Sequence, residues 1–159
     1  MDEKAVHIIA DTVAREIKAD FAEITLAEAR ALSEQVRERA KQMGVNAVVA
    51  ISNRTANPIL VECMDDAYIA SYDVAVSKAF TVVSLKMSTS DLKPLAQPGG
   101  SLYGIQFTNG GKIAIFGGGE PLKNSLGKIV GGLGVSGGTE KQDTELAAYG
   151  KKIFEKGRR

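Results

Sequence analysis

Apolar residues recur every three or four positions in four segments of the chain, the spacing that places them on one face of an α-helix. These segments span residues 2–21, 25–43, 67–87 and 139–155. The second begins with Thr25 and Glu28, which fit a capping box, and it stops at Gly44. Asp65 and Asp66 precede the third, where we expect them to cap the helix. The pattern therefore predicts four helices.

The first predicted helix carries an apolar stripe on an otherwise polar surface. His7 lies beside this stripe, which consists of Val6, Ile9, Ala10, Val13, Ile17 and Phe21. A lone helix of this length is only marginally stable in water, so the stripe must pack against the domain, a neighbouring subunit or another protein. We expect residues 1–22 to form an N-terminal amphipathic extension and residues 23–159 to form the domain.

Five shorter segments are rich in aliphatic or aromatic residues and are bounded by turn residues, which is typical of β-strands. They span residues 46–52, 59–64, 103–108, 112–116 and 129–135. The first two are expected to form a hairpin through residues 53–57, and the next two a hairpin around Asn109-Gly110. Residues 88–101 contain several prolines and glycines and are predicted to form a shaped loop. The order of the elements predicts an antiparallel α+β domain with five strands.

The composition narrows the range of functions. The chain has 159 residues, 44% of them hydrophobic, and a formal net charge of +1. This charge gives no general attraction to nucleic acid, and no apolar segment is long enough to span a membrane. The single cysteine, Cys63, excludes an internal disulfide, and we expect it to be a small buried apolar group. We expect a cytoplasmic protein, because the N-terminus fits neither a signal peptide nor a transit peptide.

Glycines are concentrated in the C-terminal half, where residues 128–143 predict a buried strand that turns into a helix capped by Thr139. This segment contains the spacing Gly-x-Gly-x-x-Gly, which is found in dinucleotide-binding domains. Those domains need a second parallel strand that ends in an acidic residue about 20 residues further on, and only one helix follows here. The amides at the helix start could instead bind an anion, with Ser136, Gly137 and Gly138 as the binding residues. A tight turn without a ligand explains the glycines equally well.

Two side chains are candidates for ligand chemistry. His7, the one histidine, is either a solvated surface residue or an axial ligand to heme iron at the domain surface or between subunits. Met64 or a tyrosine is the alternative ligand. Lys78 on the third helix could pair a carboxylate or an acidic ligand, although a helical lysine is most often solvated. We predict no catalytic residues, because the sequence supplies no nucleophile-base pair.

Several motifs occur together in one known family. They are Asp65-Asp66-Ala67, Lys78-Ala79, residues 95–104, Gly117-Gly118-Gly119 before Pro121-Leu122, and residues 131–138 followed by Gln142-Asp143. On these motifs, which lie within residues 24–149, the chain resembles the GlcG/HbpS family of small heme-binding-like proteins. Within that family it is most similar to the C-terminal domain of PduO-type proteins from propanediol-utilisation microcompartments.

The resemblance implies a profilin-like, antiparallel five-stranded sheet flanked by helices, homo-oligomeric assembly and no established catalytic site. Some members bind heme, so heme is the expected cofactor, ahead of a cobalamin-related tetrapyrrole. Adenosyl transfer is not expected, because these residues do not include the adenosyltransferase domain that accompanies PduO-type domains. Heme ligation in PduO-like members involves an N-terminal histidine, for which His7 is the candidate here. Cys63 departs from the family pattern, in which a basic residue is expected before Met-Asp.

Together, these observations predict a non-enzymatic heme- or tetrapyrrole-binding protein that serves diol, ethanolamine or glycolate utilisation. An apolar face would take the macrocycle, His7 would bind the iron, and Lys78 or the amides of residues 136–138 would bind the propionates. The alternative is an oligomeric accessory or cargo protein of a bacterial microcompartment, in which residues 1–21 recognise the shell or other cargo. A small enzyme that uses residues 94–104 and Lys78 is a third class, which is disfavoured because the sequence supplies no nucleophile-base pair or metal cluster.

Overall fold

Five α-helices, four β-strands and two short 3-10 turns follow one another along the described residues, which in this computed structural model are 2–20 and 22–158. The helices are α1 (Glu3–Asp20), α2 (Leu26–Gln42), α3 (Ser71–Ser84), α4 (Thr89–Leu95) and α5 (Glu140–Gly157). The strands are β1 (Val48–Asn53), β2 (Pro58–Cys63), β3 (Gly119–Lys123) and β4 (Ile129–Ser136). The 3-10 turns are Ile105–Phe107 and Asn109–Gly111.

The strands of the described chain form one antiparallel sheet in the order β2-β1-β4-β3. At one end of the two central strands Val48 lies opposite Ser136, and at the other end Asn53 lies opposite Gly131. The β1–β2 hairpin is the one that the sequence predicts. The α+β class is therefore confirmed. The five-stranded sheet is wrong, because the described residues contribute four strands to it.

Helices cover both faces of the sheet. Val49 of β1 belongs to the core that α2 and α5 close, together with Val36 of α2. Its neighbour Val48 belongs to a second core, on the other face, where it meets Ala75 of α3. Successive side chains of a strand point to opposite faces, so both cores use the same strand. The domain consequently has three layers, with α3 packed on the second face of the sheet.

The two helices on the first face begin as the sequence predicts. The Thr25 hydroxyl accepts a hydrogen bond from the Glu28 amide, and the Glu28 carboxylate accepts one from the Thr25 amide. Thr139 and Gln142 repeat this arrangement at the start of α5. Each capping box satisfies two amides that the helix itself cannot pair. These boxes fix where α2 and α5 begin.

Glycines in β4 let α3 lie directly on the sheet. A methyl group on Gly134 would lie 2.0 Å from the carbonyl oxygen of Ala75, and one on Gly132 would lie 2.6 Å from that of Ala79. Both distances are far shorter than a van der Waals contact, so a side chain at either position would displace the helix. The first two glycines of the Gly-x-Gly-x-x-Gly spacing thus serve close packing between a helix and the sheet.

Residues 88–116 differ most from the sequence prediction. The predicted loop contains α4, and the hairpin predicted over residues 103–116 is wrong. Asn109 and Gly110 do adopt the positive φ angles of a tight turn, but the segments beside them do not pair. Their aliphatic side chains instead form a small core with α3 and α4. This core contains Phe80, Leu85, Met87, Leu92, Ala96, Leu102, Ile105, Ile113 and Ile115.

The strand that the sequence analysis did not predict is β3. It pairs with β4 alone and so forms one edge of the sheet. It includes Pro121, which has no amide hydrogen and is tolerated at an edge, where one side of the strand needs no partner. The proline and the preceding glycines are typical of a turn, so the local sequence gives no sign of a strand here.

The start of α3 also differs from the prediction. The helix begins at Ser71 after Ala70, which provides no side-chain cap. Asp65 and Asp66 lie further upstream, and Asp66 has a φ of 62°, so their predicted role as caps of this helix is wrong. Cys63 at the end of β2 is exposed, and the prediction that it is buried is therefore also wrong.

The apolar stripe of α1 faces solvent in the described chain. Val6, Ile9, Val13 and Ile17 are 45–54% exposed, although these are the side chains that a helix normally buries. Phe21, the last predicted member of the stripe, lies outside the described residues. No helix among the described residues is long and apolar enough to cross a membrane. The stripe is thus a surface that its own chain leaves open.

Candidate functional site

Lys78 forms the centre of a buried polar cluster between α3, β4 and α5. Its side chain is 0% exposed. The ammonium group donates to Asp143 Oδ2 at 2.9 Å and to the Val135 carbonyl oxygen at 2.8 Å, and it lies 5.0 Å from the centre of the Phe116 ring. Burial lowers the pKa of Lys78, and the charge of Asp143 acts in the opposite direction. The structure therefore pairs Lys78 with a carboxylate of its own chain.

Asp143 joins this lysine to the turn before α5. Its second oxygen, Oδ1, accepts a hydrogen bond of 2.9 Å from the Gly138 amide. A carboxylate near the first turn of a helix also interacts favourably with the helix dipole. Both oxygens of Asp143 thus have partners, and its side chain is 5% exposed. This residue fastens α3 to α5 across the end of β4.

The glycine turn at residues 117–119 closes the cluster from outside. The Gly117 amide donates to Glu140 Oε1 at 2.9 Å, and the Gly119 amide donates to Thr89 Oγ1 at 2.9 Å. Glu140 also pairs with Lys93 at 2.6 Å. The hydrogen bonds from Lys93 and from the Gly117 amide lower the pKa of Glu140. A methyl group on Gly118 would lie 2.6 Å from the Lys78 nitrogen, so the turn fits tightly over the lysine.

The turn predicted to bind an anion, residues 136–138, is part of the same cluster. The hydroxyl of Ser136 lies 3.1 Å from that of Ser71 and donates to it. The amide of Gly138 is used by Asp143, and the next amide is used by the capping box of α5. Gly137 and Gly138 also line an open cavity of about 420 Å³ together with Asp66 and Tyr68. The predicted residues therefore lie close to Lys78, but these two amides bind side chains of the chain itself.

His7 lies apart from this cluster. It is exposed on α1, beside the uncovered apolar stripe. Of the alternative ligands, Met64 is partly buried with its sulfur 3.3 Å from the Ala47 amide, whereas Tyr68 and Tyr103 are exposed. Among the described residues there is no group of three or more histidine, cysteine or acidic side chains that could hold a metal ion.

Two features of the site were missed by the sequence analysis. Asp143 appeared as part of a motif without a role, and the signal that could have revealed it is the apolar surrounding of Lys78, since a buried cation needs an acidic partner. The second feature is a set of basic residues at the opposite end of the sheet. They come from three separate turns, so the sequence alone gives no sign that they meet.

Comparison with known proteins places the chain in a family. The family model described as "Haem degrading protein HbpS-like" matches residues 24–152. The chain belongs to this family. The match begins after α1 and includes the whole Lys78 cluster, so these residues are part of the shared domain. The GlcG/HbpS resemblance is thereby confirmed.

Individual relatives agree with this assignment. An uncharacterized 15.0 kDa protein from the dhaT-dhaS intergenic region of Citrobacter freundii is 42% identical over 127 residues, which are 80% of this chain and 89% of that protein. The corrinoid adenosyltransferase PduO of Salmonella typhimurium is 40% identical over 110 residues, which are 69% of this chain but 32% of PduO. The solved structure of a PduOC:heme complex is 34% identical with a TM-score of 0.78, and the match covers 82% of this chain and 94% of that one.

Proposed function

We propose that this chain is a non-enzymatic heme-binding protein in which His7 binds the iron. The observation that carries the proposal is the open apolar stripe of α1 with an exposed imidazole beside it. An imidazole is a common axial ligand of heme iron. The heme complex of the PduOC relative supports heme as the ligand.

The residues of α1 suit both the apolar ring and the charged propionates of heme. Heme has a broad apolar ring, which the aliphatic side chains of the stripe can cover, and it has two propionates. Lys4 lies one turn before His7 and so on the same side of the helix, where its ammonium group could meet a propionate. The bound iron would supply the coordination site that the imidazole fills. Of the predicted propionate partners, Lys78 would serve only if the turn at 117–119 opened, and the Gly138 amide only if Asp143 released it.

One helix can cover only one side of a heme ring. The stripe of Val6, Ile9, Val13 and Ile17 therefore requires a second apolar surface for the ring to leave water. We infer that a second copy of the chain supplies it, in a homo-oligomer in which two α1 helices face each other. The same contact would bury the stripe itself, which explains why an amphipathic helix is stable outside the domain core.

The test is a visible absorption titration of the purified chain with hemin, with His7→Ala and the matched variant Glu16→Ala. Both substitutions remove an exposed side chain from α1 and keep the helix intact. We expect a saturable Soret shift in the wild type and in Glu16→Ala, and its loss in His7→Ala. A shift that persists in His7→Ala would refute His7 as the ligand and direct attention to Met64 and the exposed tyrosines. No saturable shift in the wild type would refute heme binding.

A second candidate function rests on the same open stripe. The N-terminal segment, residues 1–21, which includes α1, resembles the peptides that direct cargo into bacterial microcompartments. The chain would then be an oligomeric accessory of diol, ethanolamine or glycolate utilisation. Fusion of residues 1–22 to a fluorescent protein in a compartment-forming host tests this role. Punctate fluorescence that becomes diffuse in Ile9→Glu/Val13→Glu is the expected result. Diffuse fluorescence of the unmodified fusion would exclude a targeting role.

A further inference from the structure

A cavity of about 480 Å³ lies at the end of the sheet opposite to the Lys78 cluster. Three segments meet there. The turn after β1 begins at Asn53, which lies opposite Gly131, and the turn between β3 and β4 runs from Lys123 to its partner Ile129. The third segment follows α3 and includes Lys86. The lining residues are Arg54, Val83, Lys86, Lys123, Gly127, Lys128 and Ile129. This volume is within the range of small-molecule sites.

The charge of this cavity is unusual for the chain. Four of the seven described lining residues are cationic and none is acidic, whereas the whole chain has a net charge of only +1. Elsewhere in the described chain, six cations form ion pairs with carboxylates. The matched cations are Arg37, Arg39, Lys78, Lys93, Lys151 and Arg158. Lysine and arginine side chains around one cavity create a positive potential there, which attracts an anion.

Two of these cations have their charge available. Among the described residues, no carboxylate forms an ion pair with Lys86 or with Lys123. Lys86 is exposed just after α3, whereas Lys123 is partly buried at the end of β3. Together they supply up to six N–H donors to an anion.

The backbone at Lys86 is a second, independent observation. Lys86 follows Leu85, the C-cap residue of α3, and has a φ of 58°. Glycine is the usual residue at this position after a helix, because other residues adopt the left-handed conformation at an energetic cost. The chain has a lysine there in spite of that cost. Its side chain is therefore placed over the cavity by a conformation that glycine would adopt more easily.

The remaining lining residues complete a site with two kinds of surface. Val83 of α3 is almost fully buried and Ile129 is partly buried, so the floor is aliphatic while the rim is cationic. A ligand with a short carbon body and several negative charges matches both surfaces. Phosphate and carboxylate groups are the anions that lysine and arginine bind best in proteins.

We propose that this cavity binds a small polyanion that carries phosphate or carboxylate groups, held chiefly by Lys86 and Lys123. This site needs neither His7 nor iron, and it lies on the domain rather than on α1. It is thus a second ligand site, distinct from the proposed heme site. Arg54 and Lys128 add positive potential on the two neighbouring turns.

The experiment is isothermal titration calorimetry of the full chain with two probes, tripolyphosphate and citrate. The buffer contains 150 mM NaCl, which is about the physiological ionic strength. The test variant is Lys86→Gln/Lys123→Gln, which keeps side-chain length and removes two charges. The control is Lys18→Gln/Lys152→Gln, which removes two charges from exposed lysines outside the cavity. We expect saturable binding of at least one probe, about tenfold weaker or more in the test variant, and within about twofold in the control. The tighter probe identifies the preferred group.

A third variant separates binding from folding. Lys86→Gly relieves the left-handed backbone, so we expect a higher melting temperature together with weaker binding. A structural role for the lysine would give the opposite change in melting temperature. Absence of saturable binding for both probes would overturn the proposal, as would an equal loss of affinity in the control. Neither result depends on the hemin titration.

Discussion

The two ends of β4 hold lysines in opposite surroundings. At the Val135 end, Lys78 is fully buried with a carboxylate oxygen 2.9 Å away and a carbonyl oxygen 2.8 Å away. At the Ile129 end, Lys86 and Lys123 line an open cavity and have no ion-pair partner among the described carboxylates. The same residue type thus fastens the fold at one end and offers charge to solvent at the other.

This difference shows how to separate structural cations from binding cations. Removing a charge from water is costly, so Lys78 persists only because Asp143 and the Val135 carbonyl replace its hydration. Those bonds leave little capacity for a ligand. An exposed lysine loses little hydration, and a cluster without acids gains by meeting an anion. Partner count and burial, taken together, therefore distinguish the two roles better than residue type does.

Breaking the ion pair between Lys78 and Asp143 should have the largest effect on the free energy of unfolding. Asp143→Ala leaves the Lys78 charge buried and the Gly138 amide without its acceptor, and we expect a loss of about 3–5 kcal/mol in the free energy of unfolding. Urea denaturation at fixed protein concentration measures this loss. Glu145→Ala is the matched control, because Glu145 lies on the same helix and pairs with Arg39 at the surface. We expect it to cost less than about 1 kcal/mol.

A double variant tests whether the effect comes from the unpaired charge. Lys78→Met/Asp143→Leu removes both charges and fills the space with apolar groups, so we expect it to lose less than about 2 kcal/mol. A double variant that is as unstable as the sum of the single variants would contradict this account, because it would mean that the two side chains act independently.

The glycines in the middle of β4 set the distance between α3 and the sheet, on which the geometry at both ends of the strand depends. Gly134→Ala would place a methyl group 2.0 Å from the Ala75 carbonyl oxygen, and α3 would have to move away from the sheet. We expect a loss of about 3 kcal/mol, and weaker polyanion binding because Lys86 follows α3. Gly157→Ala is the control, since a methyl group there has no atom within 4 Å. A Gly134→Ala chain as stable as this control would show that the glycines do not set the packing distance.

Sequence patterns predicted those parts of the fold that depend on interactions between neighbouring residues along the chain. The capping boxes at Thr25 and Thr139 and the hairpin of β1 and β2 were found because each is specified within a few neighbouring residues. The hairpin around Asn109-Gly110 was wrong for the opposite reason. Its turn residues behave as predicted, but the burial of Ile113 beneath α3 and α4 overrides strand pairing. Tertiary packing of this kind leaves no local signal.

The candidate sites were less predictable than the fold. Lys78 was singled out, but its partner Asp143 is 65 residues away and could not be identified by spacing. The cationic cavity brings together side chains from three turns, and each of them alone is an ordinary surface residue. His7 was a candidate because it is the one histidine, and its role as a ligand stays a prediction. Sites made from distant residues become visible only once the sheet register brings them together.

A smaller effect on the free energy of unfolding is expected from a second ion pair, which is formed by Arg158 near the C-terminal end of the described chain. Its guanidinium group donates to both oxygens of Glu28, at 2.8 and 2.6 Å. This bond and those from Thr25 lower the pKa of Glu28 to about 2. The pair joins the beginning of α2 to the end of α5, but it is partly solvated, with the Glu28 side chain 35% exposed.

The pH dependence of this pair follows from the lowered pKa. Glu28 is ionised more readily in the folded chain than in the unfolded one, so its contribution is complete above pH 4.5 and is lost as the pH falls toward about 2. Because solvent screens the pair, we expect a contribution of about 1 kcal/mol. Urea denaturation between pH 6 and pH 3 should therefore show a smaller decrease for Glu28→Gln than for the wild type. Glu34→Gln, an exposed change on the same helix, should follow the wild type. Equal decreases for Glu28→Gln and the wild type would mean that this ion pair, unlike that of Lys78, adds nothing to the free energy of unfolding.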